Sequence, residues 1–270
     1  MSAFAAAALG VLQGVTEFLP VSSSAHLILA RDLFGWDAGR FGLAFDVACH
    51  AGTLLAVVAY FRGTLTSLAA GALDSARGRG WAHGRPVALL VIGSLPIGVV
   101  GLALSGGLED RLRTPALAAT ALGVGAVVFL VVERRGPGER LESSLGMGEA
   151  LVIGIAQALA LVPGVSRSGA TIVAGLCFGM RREAAARFGF VLGIPAIAAA
   201  TAREVLVVGH DAISTDMIWR FGIGAVVSGV VGYATVRYLM RYLAGHSLRA
   251  FAAYRLAVAA LASLWWMIRA

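Results

Sequence analysis

Glu17 and Arg167 carry charges in stretches of sequence that are otherwise apolar enough to lie inside a bilayer. A carboxylate or guanidinium at that depth costs about 2.5–3.5 kcal/mol on insertion scales, so such groups are functional or paired, and a purely structural ion pair is the plain alternative to a site. Gln13 stands four residues before Glu17. On a helix this puts an amide oxygen and a carboxylate on one face, suited to holding a divalent cation or orienting a nucleophile. Ser22, Ser23 and Ser24 follow Pro20 and precede a further apolar run. One hydroxyl is expected to cap the next helix. The others, beside free N–H groups and the positive end of the helix dipole, suit binding a phosphate or attacking it. His26, one turn on, has three readings: general base, proton donor to a leaving oxygen, or phosphorylated nucleophile. In the second stretch, Ser166, Arg167, Ser168 and Thr171 set a guanidinium among hydroxyls at another helix start, a pattern suited to clamping phosphate oxygens. Asp46 and His50, also four apart, read as supporting groups or a polar stripe along a cavity. The remaining arginines read as markers of topology.

The elements that must position these residues are helices in a membrane. Of 270 residues, 59% are hydrophobic and 14% charged, and the mean hydropathy of +0.83 lies far outside the soluble globular range. The apolar runs approach the roughly 20 residues a helix needs to cross about 30 Å of hydrocarbon, and none alternates with the period of a barrel strand. An all-α integral membrane protein follows. The net charge of +7 is spread over short loops instead of forming one patch, which speaks for topology signals and anionic lipid contacts and against nucleic acid. All 22 basic residues counted as Lys and Arg are arginines, which excludes lysine Schiff-base chemistry. Cys49 and Cys177 read as small buried hydrophobes and not as a disulfide or metal set. The N-terminal run lacks the charged start of a cleavable signal and is expected to be part of the mature fold.

Six long spans are predicted near 41–61, 86–106, 115–133, 187–203, 217–240 and 250–268, with Trp265 and Trp266 as interfacial anchors. Residues 3–34 and 148–180 are interrupted halfway, at Pro20–Ser24 and Pro163–Ser168, and each half is too short to cross, so each region is predicted to be a re-entrant helical hairpin. A shift of 144 residues matches Gly10, Gln13, Val21, Ser22 and Ser24 to Gly154, Gln157, Val165, Ser166 and Ser168. One hairpin plus three spans per half makes this an inverted-topology repeat, 1–140 and 141–270, within one membrane domain. Arginine-rich segments at 62–85, 134–147, 181–187 and 237–249 are placed on the cytoplasmic side, and 203–216, with Glu204, Asp211 and Asp216, outside. The hairpins then enter from opposite faces, and their polar tips meet near the midplane.

The run from Gln13 through Glu17 to Ser22-Ser23-Ser24-Ala25-His26 resembles the [E/Q]xxxE region of the bacterial undecaprenyl-diphosphate phosphatases linked to bacitracin resistance, and Pro163 through Thr171 resembles their PGxSRSxxT signature. The likeness continues through 51–57 and 186–195, so it covers nearly the whole chain. It implies hydrolysis of undecaprenyl diphosphate to the monophosphate lipid carrier of cell-wall precursors, with a divalent cation, Mg2+ or Ca2+. It also implies a plasma-membrane site opening to the periplasmic or extracellular side. Carried over residue by residue, Glu17 becomes a metal ligand or base, with Gln13 beside it. Ser23 and His26 become candidates for attack on the terminal phosphate, and Arg167, with Ser166 and Thr171, binds the diphosphate. Gln13 leaves one carboxylate fewer than the double-Glu version of the motif. Oligomeric state is left open, a homodimer being one option.

The main rival is a polyprenyl-phosphate flippase or other alternating-access carrier, which shares the architecture of broken helices in an inverted repeat. The type-two phosphatidic acid phosphatases are set aside, because no histidine follows Arg167 at their spacing and their lysine element is missing.

Overall fold

The computed structural model describes residues 2–36, 42–103, 112–136, 138–208 and 215–269. Among them the regular structure is helical: α1 (Ala3–Phe18), α2 (Ser23–Phe34), α3 (Gly42–Tyr60), α4 (Arg62–Ala76), α5 (Trp81–Ala103), α6 (Pro115–Glu133), α7 (Met147–Leu159), α8 (Arg167–Cys177), α9 (Arg182–Val208), α10 (Thr215–Leu243) and α11 (Arg249–Arg269). Five helices, α5, α6, α9, α10 and α11, are long and apolar enough to cross a membrane by length and composition. The sixth predicted span corresponds to α3, which meets that test together with α4 across a bend of 74°. Their outward faces carry exposed apolar side chains such as Leu55, Val99, Leu206, Ile218 and Val230, which only a lipid environment covers without penalty.

Both interrupted regions are broken helices. Leu19 ends α1 in extended backbone and Pro20 follows in a turn before α2 starts at Ser23, and residues 160–166 separate α7 from α8. Arg140 holds the two ends of the second hairpin together, bonding Glu149 at the start of α7 (2.7 and 2.9 Å) and the Phe178 carbonyl just past α8 (2.8 Å). The arginine-rich connections all meet at this end of the bundle. Arg85 bonds the Ser143 carbonyl at 2.8 Å, Arg187 pairs with Glu142 at 3.4 Å, and Glu133 takes both Arg182 and the Leu248 N–H.

Several helix contacts match across the two halves, although α3 packs far more extensively on α10 than α9 does on α5. α1 packs on α10 and α7 on α5, α3 packs on α9, and α6 on α11. Small residues make these approaches close, as Gly14 lies against the Ser228 carbonyl and Gly154 against Gly93. A Cβ at Gly52 would run into the Ala225 carbonyl of α10, and backbone cannot step aside as a side-chain end can. Gly52→Ala is therefore expected to destabilise the protein by about 1–3 kcal/mol, read as a lower melting temperature in detergent; an unchanged melt would count against this packing.

Three expectations need correction. Residues 62–76, read as loop from their charge and polarity, form α4, whose first turn follows α3 directly at Arg62. Cys177 is exposed at the end of α8, while Cys49 is buried as predicted, and both are free. Arg255, grouped with the topology markers, is 1% exposed in the second turn of α11. Asp211, assigned to the outer loop, lies outside the described residues.

Candidate functional site

The two breaks meet. Glu17, one turn before the first break, is 7% exposed and collects groups from three directions. Gln13 Nε2 donates to Glu17 Oε2 at 2.8 Å, and Ser23 Oγ donates to the same oxygen at 2.7 Å. Arg167, at the first position of α8, donates from its guanidinium to Glu17 Oε1. From α3, His50 Nε2 comes within 3.4 Å of Glu17 Oε2 while its Nδ1 donates to the Asp46 carbonyl at 2.8 Å. The ion pair between the breaks therefore exists, and a hydroxyl from one break and a guanidinium from the other converge on one carboxylate.

The local backbone explains these placements. Ser22 has φ 72°, and among the described residues it is the one non-glycine with positive φ. Such a conformation costs on the order of 1–3 kcal/mol and persists where surroundings enforce it. The expected hydroxyl cap on α2 is not made: Ser22 Oγ bonds Ser24 Oγ at 3.2 Å, and Ser23 Oγ is spent on Glu17. In the second break Ser166 does cap, accepting the Gly169 N–H at 3.1 Å. Ser168 donates to the Leu19 carbonyl at 3.2 Å, fastening the second break to the first.

These groups border a cavity of about 190 Å³, walled by Glu17, Ser22, Ser23, Ser24, Asp46, His50, Arg113, Ser166 and Arg167 on its polar side and by Ile97, Ala196, Ile197 and Ala200 on its apolar side. Four predicted residues stand off its wall. Gln13 acts on it through Glu17. Ser168 and Thr171 are turned into the packing, Thr171 bonding the Arg167 and Ser168 carbonyls of its own helix. His26 has both ring nitrogens engaged. Nδ1 lies 2.7 Å from the Ser22 carbonyl, which only accepts, so it carries the proton, and in the neutral ring Nε2 accepts from Tyr254 Oη at 2.8 Å.

Three arginines enter that sequence reasoning left out. Arg31 spans both Asp46 oxygens (2.9 and 2.6 Å) and Arg113 bonds Oδ2 at 2.6 Å. Arg255 bonds the carbonyls of Pro20 (3.2 Å) and Gly164 (3.1 Å), one from each break, and those of Ala121 and Leu122 in α6, with Phe129 beneath its guanidinium at 5.0 Å. Its position on an apolar helix was the available signal, the same one that singled out Glu17.

A divalent cation finds one fitting feature behind the cavity wall, at Gln13. Gln13 Oε1 is buried without a partner beside Glu17, and Mg2+ commonly takes one or two protein oxygens and completes its shell with water and substrate phosphate. Among the described residues no group of three His, Cys, Asp or Glu could hold a metal alone.

Fold and site together define a multi-pass helical membrane protein that gathers a carboxylate, hydroxyls and arginine at two helix breaks, the equipment of an enzyme or carrier for anionic head groups. The chain belongs to the bacitracin resistance protein BacA family, whose model matches residues 6–261. It is 44% identical over 256 residues to an undecaprenyl-diphosphatase of Rubrobacter xylanophilus, covering 94% of each chain. It is also 44% identical to one of Nitrosococcus oceani (94% and 95% covered) and 42% identical to one of Thioalkalivibrio sulfidiphilus (98% and 100% covered).

Proposed function

We propose that the protein hydrolyses undecaprenyl diphosphate to undecaprenyl phosphate and inorganic phosphate, returning the lipid carrier to cell-wall synthesis and thereby conferring bacitracin resistance. Carrying this reading is the meeting on Glu17 of the Ser23 hydroxyl from one break and the Arg167 guanidinium from the other. The terminal phosphate sits against Arg167, which disperses charge on the transferring group. Ser23 Oγ attacks the terminal phosphorus and its proton passes to Glu17, while the bridging oxygen leaves with the prenyl phosphate; water then hydrolyses the phosphoserine. Ser22, Ser24 and Ser166 offer further hydrogen bonds to phosphate oxygens. His26 is a positioning residue, fixing the strained Ser22 carbonyl from one nitrogen and Tyr254 from the other. A Mg2+ or Ca2+ ion held by Glu17 and by Gln13 Oε1, with the amide turned to exchange Oε1 for the Nε2 that faces Glu17, would add electrostatic stabilisation of the phosphoryl charge.

The paired contacts of the two halves support an inverted-topology repeat, 1–140 and 141–270, with each broken helix a re-entrant hairpin. Clustering of the arginine-rich connections at one end supports a cytoplasmic location for that end in the bacterial plasma membrane. Asp46 and His50 lie on the half of α3 away from Arg62, which favours a cavity opening to the periplasmic or extracellular side. The apolar wall leaves the prenyl tail in contact with hydrocarbon.

A flippase needs no hydroxyl held on a carboxylate. Phosphate release by detergent-solubilised protein, where no gradient exists, separates the two: turnover that a chelator abolishes and Mg2+ or Ca2+ restores is the expected result. Turnover indifferent to the chelator would remove the cation from the mechanism. Binding of the lipid without turnover would favour the carrier.

A further inference from the structure

Resting on the phosphatase reading, we infer that Arg113, held by Asp46, binds the phosphate that stays on the lipid, so that the cavity measures the length of a diphosphate. Asp46 and His50 lie one turn apart on α3, about 6 Å along the axis. His50 reaches Glu17, whereas Asp46 reaches Arg113. The cavity thus has two polar levels, with Glu17, Ser23 and Arg167 at one and Arg113 at the other, and both belong to the same wall.

Among the described residues, charge at the second level is unbalanced. Arg31 alone pairs with both oxygens of Asp46 and also donates to the Gly42 carbonyl at 3.3 Å. Arg113 adds a second guanidinium to a carboxylate that is already neutralised and 2% exposed. An ion pair needed only for packing would stop at one arginine, since each guanidinium taken from water carries its own desolvation cost. Arg113 borders the cavity and Arg31 does not, so the excess positive charge is the one that faces the ligand.

In this arrangement the terminal phosphate occupies the Ser23 level and the inner phosphate the Arg113 level. As the bond between the bridging oxygen and the terminal phosphorus breaks, the electron pair remains on the bridging oxygen. Arg113 faces that developing charge. The product keeps only the inner phosphate, which Arg113 retains at its own level and away from Ser23. Hydrolysis therefore stops at the monophosphate.

Calorimetric titration of the solubilised protein with inorganic pyrophosphate and with inorganic phosphate tests the inference without needing turnover. Wild-type protein is expected to prefer pyrophosphate. Arg113→Gln should lose that preference through a fall of about tenfold to a hundredfold in pyrophosphate affinity, with kcat/KM for undecaprenyl diphosphate falling in parallel. Arg113→Lys, which keeps the charge but not the fork, should show a smaller loss and serves if the glutamine variant fails to fold. An unchanged preference in the folded Arg113 variants, equal weakening for both anions, or no preference in wild type would overturn the two-level site. Failure of wild-type protein to release phosphate would instead sink the phosphatase reading.

Discussion

Replacing Arg255 by methionine is expected to destabilise the protein by several kcal/mol and to abolish activity with it. Methionine fills similar apolar volume, so the change isolates the loss of donors. Among the described residues Arg255 is the one side chain bonded to a carbonyl of each break, Pro20 and Gly164, and breaks are where helical donors run out. A buried carbonyl left without a donor costs about 1–3 kcal/mol, and two are released at once in a region of low dielectric. Gly125→Ala approaches the same site from the other side, because a Cβ there collides with the Arg255 guanidinium; a milder loss of the same kind is expected. Thermal unfolding in detergent checks both. A wild-type melt for Arg255→Met would mean that the breaks hold themselves and that Arg255 is incidental.

Glu17→Gln should leave the fold intact and lower kcat about 10²–10⁴-fold. Glutamine preserves the volume and one acceptor oxygen, so Ser23 keeps a partner and packing is undisturbed. What disappears is the group that takes a proton from the attacking hydroxyl, together with the negative charge that orders Arg167 and faces His50. The measurement is phosphate release by a variant whose melting temperature and elution volume match wild type. A kcat within about threefold of wild type would remove Glu17 from the chemistry and leave it as the partner of Arg167.

Much of this site was legible because charge and hydroxyls inside apolar sequence are expensive. Glu17 and Arg167 announced the site, and proline at 20 and 163 announced the breaks that let two short helices present their ends to each other. Asp46 and His50 followed from their spacing on one face of α3. Less legible was anything decided by a partner far along the chain. His26 lies one turn from Ser23, yet its ring is captured by Tyr254, 228 residues away, and helical phase carries no record of that. Arg31 and Arg113 resembled loop arginines because Asp46 is remote in sequence from both. The α4 segment reads as loop from its glycines, serines and threonines, and its short apolar set of Leu65, Leu68 and Ala72 gains its meaning only from docking against α5.

The most direct test of a single catalytic site built from both breaks is phosphate release from undecaprenyl diphosphate by purified wild-type protein beside Arg167→Ala, each with and without added guanidinium. Sustained wild-type turnover, lost in Arg167→Ala and partly regained with guanidinium, is the predicted result, since the second break would then supply a charge that the chemistry at the first requires. Wild-type kcat in a folded Arg167→Ala protein, or no turnover by wild type, would contradict it.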